Sequence, residues 1–270
     1  NVRERGMKVI ADMHSKLNVF IPGHIGRYDD EFEPRAFGDN FVKWGTSSIL
    51  IESGGWKDDT EKQFVRKMNF IAILTGLYSM ASEHYANYSI DDYFAIPENE
   101  NYLYDIIVRN IKTNIQDSTI VLDYGINQIE TTTKTGDVYY RGEITEAGDL
   151  STFFGNDDYC FDSMEVKHGL IYPEEFETVE QVGKLKFNEI LSKGYIYVKV
   201  KNISKDLKYS KYPINIVSYN FSINGDINLG KMANFLIFDN SALRYVFVNG
   251  FMFDTKTKIN KIKNGLIFND

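Results

Sequence analysis

The chain has 270 residues, a formal net charge of −8 and a pI of about 5.2. That balance, with no Lys/Arg block, argues against a nucleic-acid partner held on a broad basic surface. The single cysteine, Cys160, excludes an intrachain disulfide framework and a cysteine-based zinc site, and no apolar run approaches the roughly 20 residues that span a bilayer.

The length fits one or two domains. Eighteen tyrosines and 19 phenylalanines against five prolines favour strands with aromatic faces. Residue 1 is Asn, and residues 1–17 are amphipathic without signal-peptide character, so the expectation is a processed product or a piece of a longer parent. The compartment stays open between exported and cytoplasmic.

In chain order, residues 1–18 are predicted helical, with Met7, Ile10, His14 and Leu17 at helical spacing. Residues 22–45 form a long polar loop with Gly23, Gly26 and Gly38, the length at which loops are usually functional or disordered. Gly45–Trp56 follows as the stretch of most interest. Ser48 to Ile51 reads as a short buried strand, Glu52 stands where the apolar run stops, and Gly54-Gly55 turns the chain. A carboxylate at a strand end is well placed for chemistry in an open α/β sheet; the alternative is a Glu that merely faces water. Asp58 with Glu61, or Thr60 with Gln63, fits a capping box. A helix then runs to about Ser82 with Phe64, Met68, Ile71, Thr75 and Tyr78 in its stripe, and most of its apolar residues are expected in the core.

Residues 85–100 read as a polar linker. Beyond it, strands are predicted at 105–109, 119–122, 126–129 and 138–141, and an irregular region at 149–172 with one strand near Met164-Glu165-Val166. A helix follows near 179–192, then strands at 195–200, 214–217, 235–238 and 245–248. Asn249-Gly250 signals a hairpin with Phe251-Met252-Phe253 as its return strand. The domains expected are 1–90 and a β-rich 91–270.

The first ninety residues resemble the C-terminal end of the zinc carboxypeptidase family, the carboxypeptidase A-like metallopeptidases. The matching pieces are the loop with Tyr28, Trp44-Gly45-Thr46, Ile49-Leu50-Ile51-Glu52, and the helix with Glu61-Lys62-Gln63 and Arg66-Lys67. The resemblance implies an α+β chain: a C-terminal piece of that α/β fold (helix, loop, strand, helix), then a β-sandwich-like domain. It implies Glu52 as general base and acid, Tyr28 closing over substrate from 24 positions upstream, and Asp39, Asn40 or Val42 lining the specificity pocket. The substrate it implies is a peptide or cell-wall peptide cut at its carboxyl terminus. The family's zinc is held by a His-x-x-Glu pair and a later His. No His-x-x-Glu occurs here, and His14, His24, His84 and His168 are scattered. Zinc is therefore expected in the full-length parent and not bound by this chain, which would be inactive alone.

A second resemblance concerns the β-rich region. Tyr104 to Asn110, Asp123 to Asn127 and Ile144, then Lys231 to Asp239 and Arg244 to Gly250, are similar to the opening and closing strands of the small β-sandwich that flanks metal-dependent amidohydrolases. The stretch between them, about residues 150–230, is too short for a barrel of roughly 250 residues. A non-catalytic binding or structural module is the competing expectation. The apolar faces of the Glu52 strand and the 60–82 helix then need a cover: the β-rich region, a homodimer, or part of the parent. The acidic runs Asp29-Asp30-Glu31, Asp157-Asp158 and Glu174-Glu175 lack the spaced pattern of a calcium loop and read as solvated surface.

Overall fold

The computed structural model describes residues 2–28, 32–56, 59, 61–115, 118–134 and 136–269. The chain is α+β and divides into two compact units, residues 1–101 and 102–270. Among the described residues no helix is long and apolar enough to cross a membrane.

Unit 1 is helical: α1 (Val2–Leu17), α2 (Phe37–Lys43), α3 (Gln63–Ala81), a 3-10 helix at His84–Asn87, and α4 (Ile90–Phe94). Its core is the α1–α3 contact, where Val9, Met13 and Leu17 meet Met68 and Ala72. Gly76 permits the close approach, since a Cβ there would lie 3.2 Å from the Met13 sulfur. Two expectations change here. The 22–45 loop contains α2, and the 85–100 linker contains α4, whose Ser89 and Asp92 form a capping box. The start of α3 is capped by Asp59: its Oδ1 accepts the Gln63 N–H at 2.8 Å and its Oδ2 the Val65 N–H at 3.0 Å. Asp58 and Thr60, one from each predicted pair, lie outside the described residues.

Unit 2 carries fourteen strands among its described residues. They are β1 (Leu103–Ile115), β2 (Ser118–Thr132), β3 (Val138–Gly148), β4 (Phe154–Cys160), β5 (Glu165–Lys167), β6 (Leu170–Ile171), β7 (Phe176–Thr178), β8 (Tyr195–Asn202), β9 (Tyr209–Ser210), β10 (Asn215–Val217), β11 (Phe235–Asp239), β12 (Ala242–Val248), β13 (Phe251–Asp254) and β14 (Gly265–Phe268). One mixed sheet runs β13-β12-β11-β5-β1-β2-β3, with β4 parallel to β1; the other runs β6-β8-β10-β14-β9, with β7 parallel to β8. The predicted strands at 119–122 and 126–129 are one strand, β2. The irregular region contains β4, β5 and β6. The helix predicted near 179–192 is two short ones, α5 (Val179–Val182) and α6 (Phe187–Leu191).

The first sheet buries both faces. Phe235 and Ile237 of β11 enter one cluster and Leu236 the other; Phe247 of β12 enters the first and Val246 and Val248 the second. This is the two-residue alternation of a strand covered on each side. The first cluster also takes Ile106, Val108 and Ile111 from β1, Tyr124 and Ile126 from β2 and Ile144 from β3, all strands of that sheet. The sheet therefore curls over its own face. Register shifts at Val108/Ile111, Gly125/Ile126 and Ile237/Phe238 supply the bends. Asn110, at φ +55°, is the extra residue of the β1 bulge, and its N–H reaches Asp123 Oδ1 at 2.7 Å. The other cluster joins this sheet to the second, through Ile196 and Tyr197 of β8 and Val217 of β10.

Four buried asparagines tie the sheets. Asn215, Asn234, Asn249 and Asn264 are at most 5% exposed. The Asn249 Oδ1 accepts the Gly142 N–H at 2.6 Å, and the Asn249 N–H donates to Asn234 Oδ1 at 2.7 Å. Asn215 Nδ2 donates to that same Asn234 oxygen at 2.8 Å, and Asn215 Oδ1 accepts the Leu266 N–H at 2.8 Å. Asn264 takes the Tyr140 N–H at 2.9 Å and returns a bond to the Tyr140 carbonyl at 3.0 Å. The expected hairpin forms, with Val248 opposite Phe251 and both turn residues at positive φ. Its turn is buried, which a hairpin signal does not foretell.

Replacing Asn249 by Ala strands the Gly142 N–H and puts a less tolerant residue at φ +53°. We expect a cost of about 2–4 kcal/mol, read as a lowered urea midpoint. A midpoint equal to that of the unsubstituted chain would show that the network is not limiting.

Candidate functional site

The predicted site lies in unit 1, and its central expectation is corrected. No regular element spans residues 46–56, and Leu50 and Ile51 are 65% and 40% exposed. A strand needs a neighbour for its N–H and C=O groups, and the described part of unit 1 contains no strand, only an isolated bridge between Arg27 and Glu98. Of the apolar run only Ile49 packs on the α1–α3 core.

The stretch is nonetheless pinned. The Ser47 hydroxyl donates to the Val2 carbonyl at 2.7 Å, and the Ser53 hydroxyl to Asn69 Oδ1 on α3 at 2.9 Å. Past Gly54-Gly55, the Trp56 ring packs on Phe64 at 4.7 Å and edge-on to His24 at 4.8 Å. Glu52 sits exposed between these anchors, and among the described residues its carboxylate has no hydrogen-bond or ion-pair partner.

Tyr28 is 59% exposed and follows a firmly held residue. Arg27 exchanges backbone bonds with Pro97 and Asn99, donates through Nε to the Ile96 carbonyl at 2.8 Å, pairs with Glu98 at 3.0 Å, and lies over the Tyr93 and Phe94 rings. Asp39 and Asn40 are on α2, not on a loop. Asp39 Oδ2 accepts the Glu33 N–H at 2.9 Å, and Asn40 Nδ2 donates to the Pro34 and Ala36 carbonyls at 2.9 and 2.8 Å. Both side chains thus hold the turn before α2. No hydrogen bond or ion pair joins Glu52 to Tyr28, Asp39 or Asn40 among the described residues.

The polar centre that the sequence reading missed is Asp12 with His84. Asp12, whose side chain is 1% exposed, accepts from His84 Nδ1 at 2.8 Å. Ser15 bonds the Tyr88 hydroxyl beside it. Burial pushes the Asp12 carboxyl up, but Ser79, His84 and Tyr88, with the His84 charge, outweigh it and leave the pKa below the ordinary range. Asp12 Oδ1 and the buried Ser79 hydroxyl still lack a well-formed hydrogen bond. The available signal was an acid between Ala11 and Met13, inside the apolar stripe of α1.

Metal binding finds little support in the side chains. Among the described residues no group of three or more His, Cys, Asp or Glu is placed to hold an ion. His24 faces Trp56 and His84 faces Asp12. The run at 29–31 lies outside the described residues, while Asp158 pairs with Arg109 at 2.8 Å and Asp157 with Lys261 at 3.5 Å. This chain's described residues therefore do not fit a zinc site. In unit 2 an open groove of about 580 Å³ between the Asn110 bulge and β2–β3 is lined by Leu122, Asp123, Ala147, Asp149 and Asn228. Its Asp123 is engaged by the Asn110 and Leu150 N–H groups and by Arg109.

Comparison with protein-family models, with curated proteins and with solved structures gives no match to this chain.

Because Asp12 has its pKa lowered in the folded state, its contribution is fully present above the unfolded carboxylate pKa of about 3.9 and is lost as pH falls through the folded value. Acid titration followed by circular dichroism should show helix loss below about pH 4. Asp12→Ala should cost about 1–3 kcal/mol at neutral pH, because it removes the buried carboxylate that His84 Nδ1 bonds.

Proposed function

We propose that Glu52 is the general base and acid of a zinc carboxypeptidase-like hydrolase that cuts a peptide or amide bond at a carboxyl terminus, in a peptide or a cell-wall peptide. The observation that carries this reading is the open Glu52 carboxylate on a stretch pinned at Ser47 and Ser53. A general base must be held in place with an acceptor oxygen left free to take the proton. In this reading Glu52 accepts a proton from the attacking water and delivers it to the leaving amine nitrogen. The Tyr28 phenol, carried next to the anchored Arg27, donates a hydrogen bond to the substrate. Asn40 has both N–H bonds committed to the turn, so it offers only its carbonyl oxygen. Zinc activates water and carbonyl groups in such chemistry, and its ligands would lie outside this chain.

A second reading, a non-catalytic structural or binding module, applies to unit 2. Arg109 and the four asparagines spend their hydrogen bonds on the unit itself: Arg109 is bidentate to Asp158 at 2.8 Å and donates to the Leu150 and Phe153 carbonyls at 2.8 Å. The strands that resemble the opening and closing parts of an amidohydrolase-flanking sandwich, β1–β3 with β11 and β12, share one sheet across β5, which supports that likeness.

Glu52→Gln in the enzyme assembled with its zinc ligands should lower turnover by about 10²–10⁴-fold with zinc content unchanged. Near-normal turnover would remove Glu52 from the mechanism. Metal analysis of the 270-residue chain alone should find no stoichiometric zinc; tight binding would mean that its histidines converge after all.

A further inference from the structure

Among the described residues of unit 1, nothing covers the face of α3 turned away from α1. Met68, Ala72, Gly76 and Ser79 are buried, whereas Phe70 is 66% exposed, Ile73 53%, Leu74 55%, Leu77 57%, Tyr78 65% and Met80 47%. This corrects the expectation that the apolar residues of this helix are mostly core. Residues 70, 73, 74 and 77 recur at the spacing of a helix stripe. A helix that is apolar on both faces is built to be buried on both.

We propose that this face docks against the same face of a second copy of the chain, as an antiparallel α3–α3 pair. This inference is independent of the role given to Glu52. Six large side chains, each about half exposed, present roughly 600 Å². A two-fold pair therefore hides roughly 1,200 Å², the lower end of the range for specific interfaces. A single copy would leave a patch at the upper limit for a soluble monomer.

The charges select the antiparallel arrangement. Arg66 and Lys67 are exposed near the start of the stripe, and Glu83 is exposed just past its end. A two-fold axis near Ile73 and Leu74 sets Phe70 against the partner's Leu77 and Ile73 against the partner's Leu74. It brings Arg66 and Lys67 to the partner's Glu83 and to the negative end of the partner's helix. A parallel pair would place the four cations side by side.

Sedimentation equilibrium from 1 to 100 µM, as a chosen concentration range of roughly the affinity expected for so small an interface, should give twice the 31.2 kDa chain mass at the upper end. Leu74→Glu, which sets a carboxylate against the partner's Ile73 beside the axis, should weaken association by about 100-fold or more with an unchanged far-ultraviolet spectrum. Lys67→Glu and Glu83→Lys should each weaken the dimer, and the double variant should recover it. A monomer throughout the range, or a dimer that persists in a folded Leu74→Glu variant, overturns the proposal. Failure of the double variant to recover overturns the antiparallel pairing. The charge-swap series keeps the test valid if Leu74→Glu does not fold.

Discussion

Asn249 occupies a place where a wrong side chain would leave several backbone groups dry. It ends β12 in a buried turn, adopts a positive φ, and answers the Gly142 N–H of β3. Gly142 has no Cβ because the Asn249 carbonyl stands there: a Cβ would come 2.5 Å from it. Through Asn234 and Asn215 the same network reaches β11, β10 and β14. Without it, the curled sheet and the second sheet would meet chiefly through apolar contacts, which do not specify register, beside the Thr131–Tyr209 hydroxyl contact. Each amide spends its hydrogen bonds inside the unit, so burial of four polar side chains stabilises a unique arrangement instead of opposing it.

Arg109 plays the corresponding part at the bulged end of β1. Its guanidinium joins Asp158 of β4, Asp123 of β2 and two carbonyls of the connecting turn. The pairing with Asp158 and Asp123 pushes its pKa up, with burial opposing. Unit 2 therefore concentrates its polar chemistry on holding strands together. The described residues of unit 1 show fewer such devices. Its core is one helix pair, reinforced by Asp12 and His84, and its loops are pinned at a few points such as Arg27, Ser47 and Ser53. The Glu52 carboxylate and the α3 face, both open among the described residues, belong to this unit.

The two open features make different physical demands. A carboxylate in water is comfortable as it stands, and its exposure costs nothing. Exposed Phe70, Leu74 and Leu77 are not comfortable, because apolar area left in water forgoes about 25 cal/mol per Å². The case for covering the α3 face therefore rests on apolar area, whereas a role for Glu52 rests on chemistry.

Much of the chain was legible from local pattern. Helical spacing placed α1 and the extent of α3, β-branched and aromatic runs placed β1, β8, β11 and β12, and Asn249-Gly250 placed the last hairpin. Short-range signals suffice there because the same residues that favour the element also bury it. The pattern misled at Ser48 to Ile51, where β-favouring residues have no neighbouring strand among the described residues to receive their backbone groups. It also misled on α3, since a doubly apolar helix looks like core whether or not a second layer covers it. The partners of Asp12, Arg109 and the four asparagines were not legible locally, because they lie up to 124 residues away along the chain. The sequence by itself determined the long helices α1 and α3 and the longer strands of unit 2, through side-chain periodicity. Which carboxylate stays open, which asparagines are buried and which face of α3 meets water were decided only by the tertiary structure, because burial and hydrogen-bond satisfaction depend on neighbours that folding, not sequence proximity, supplies.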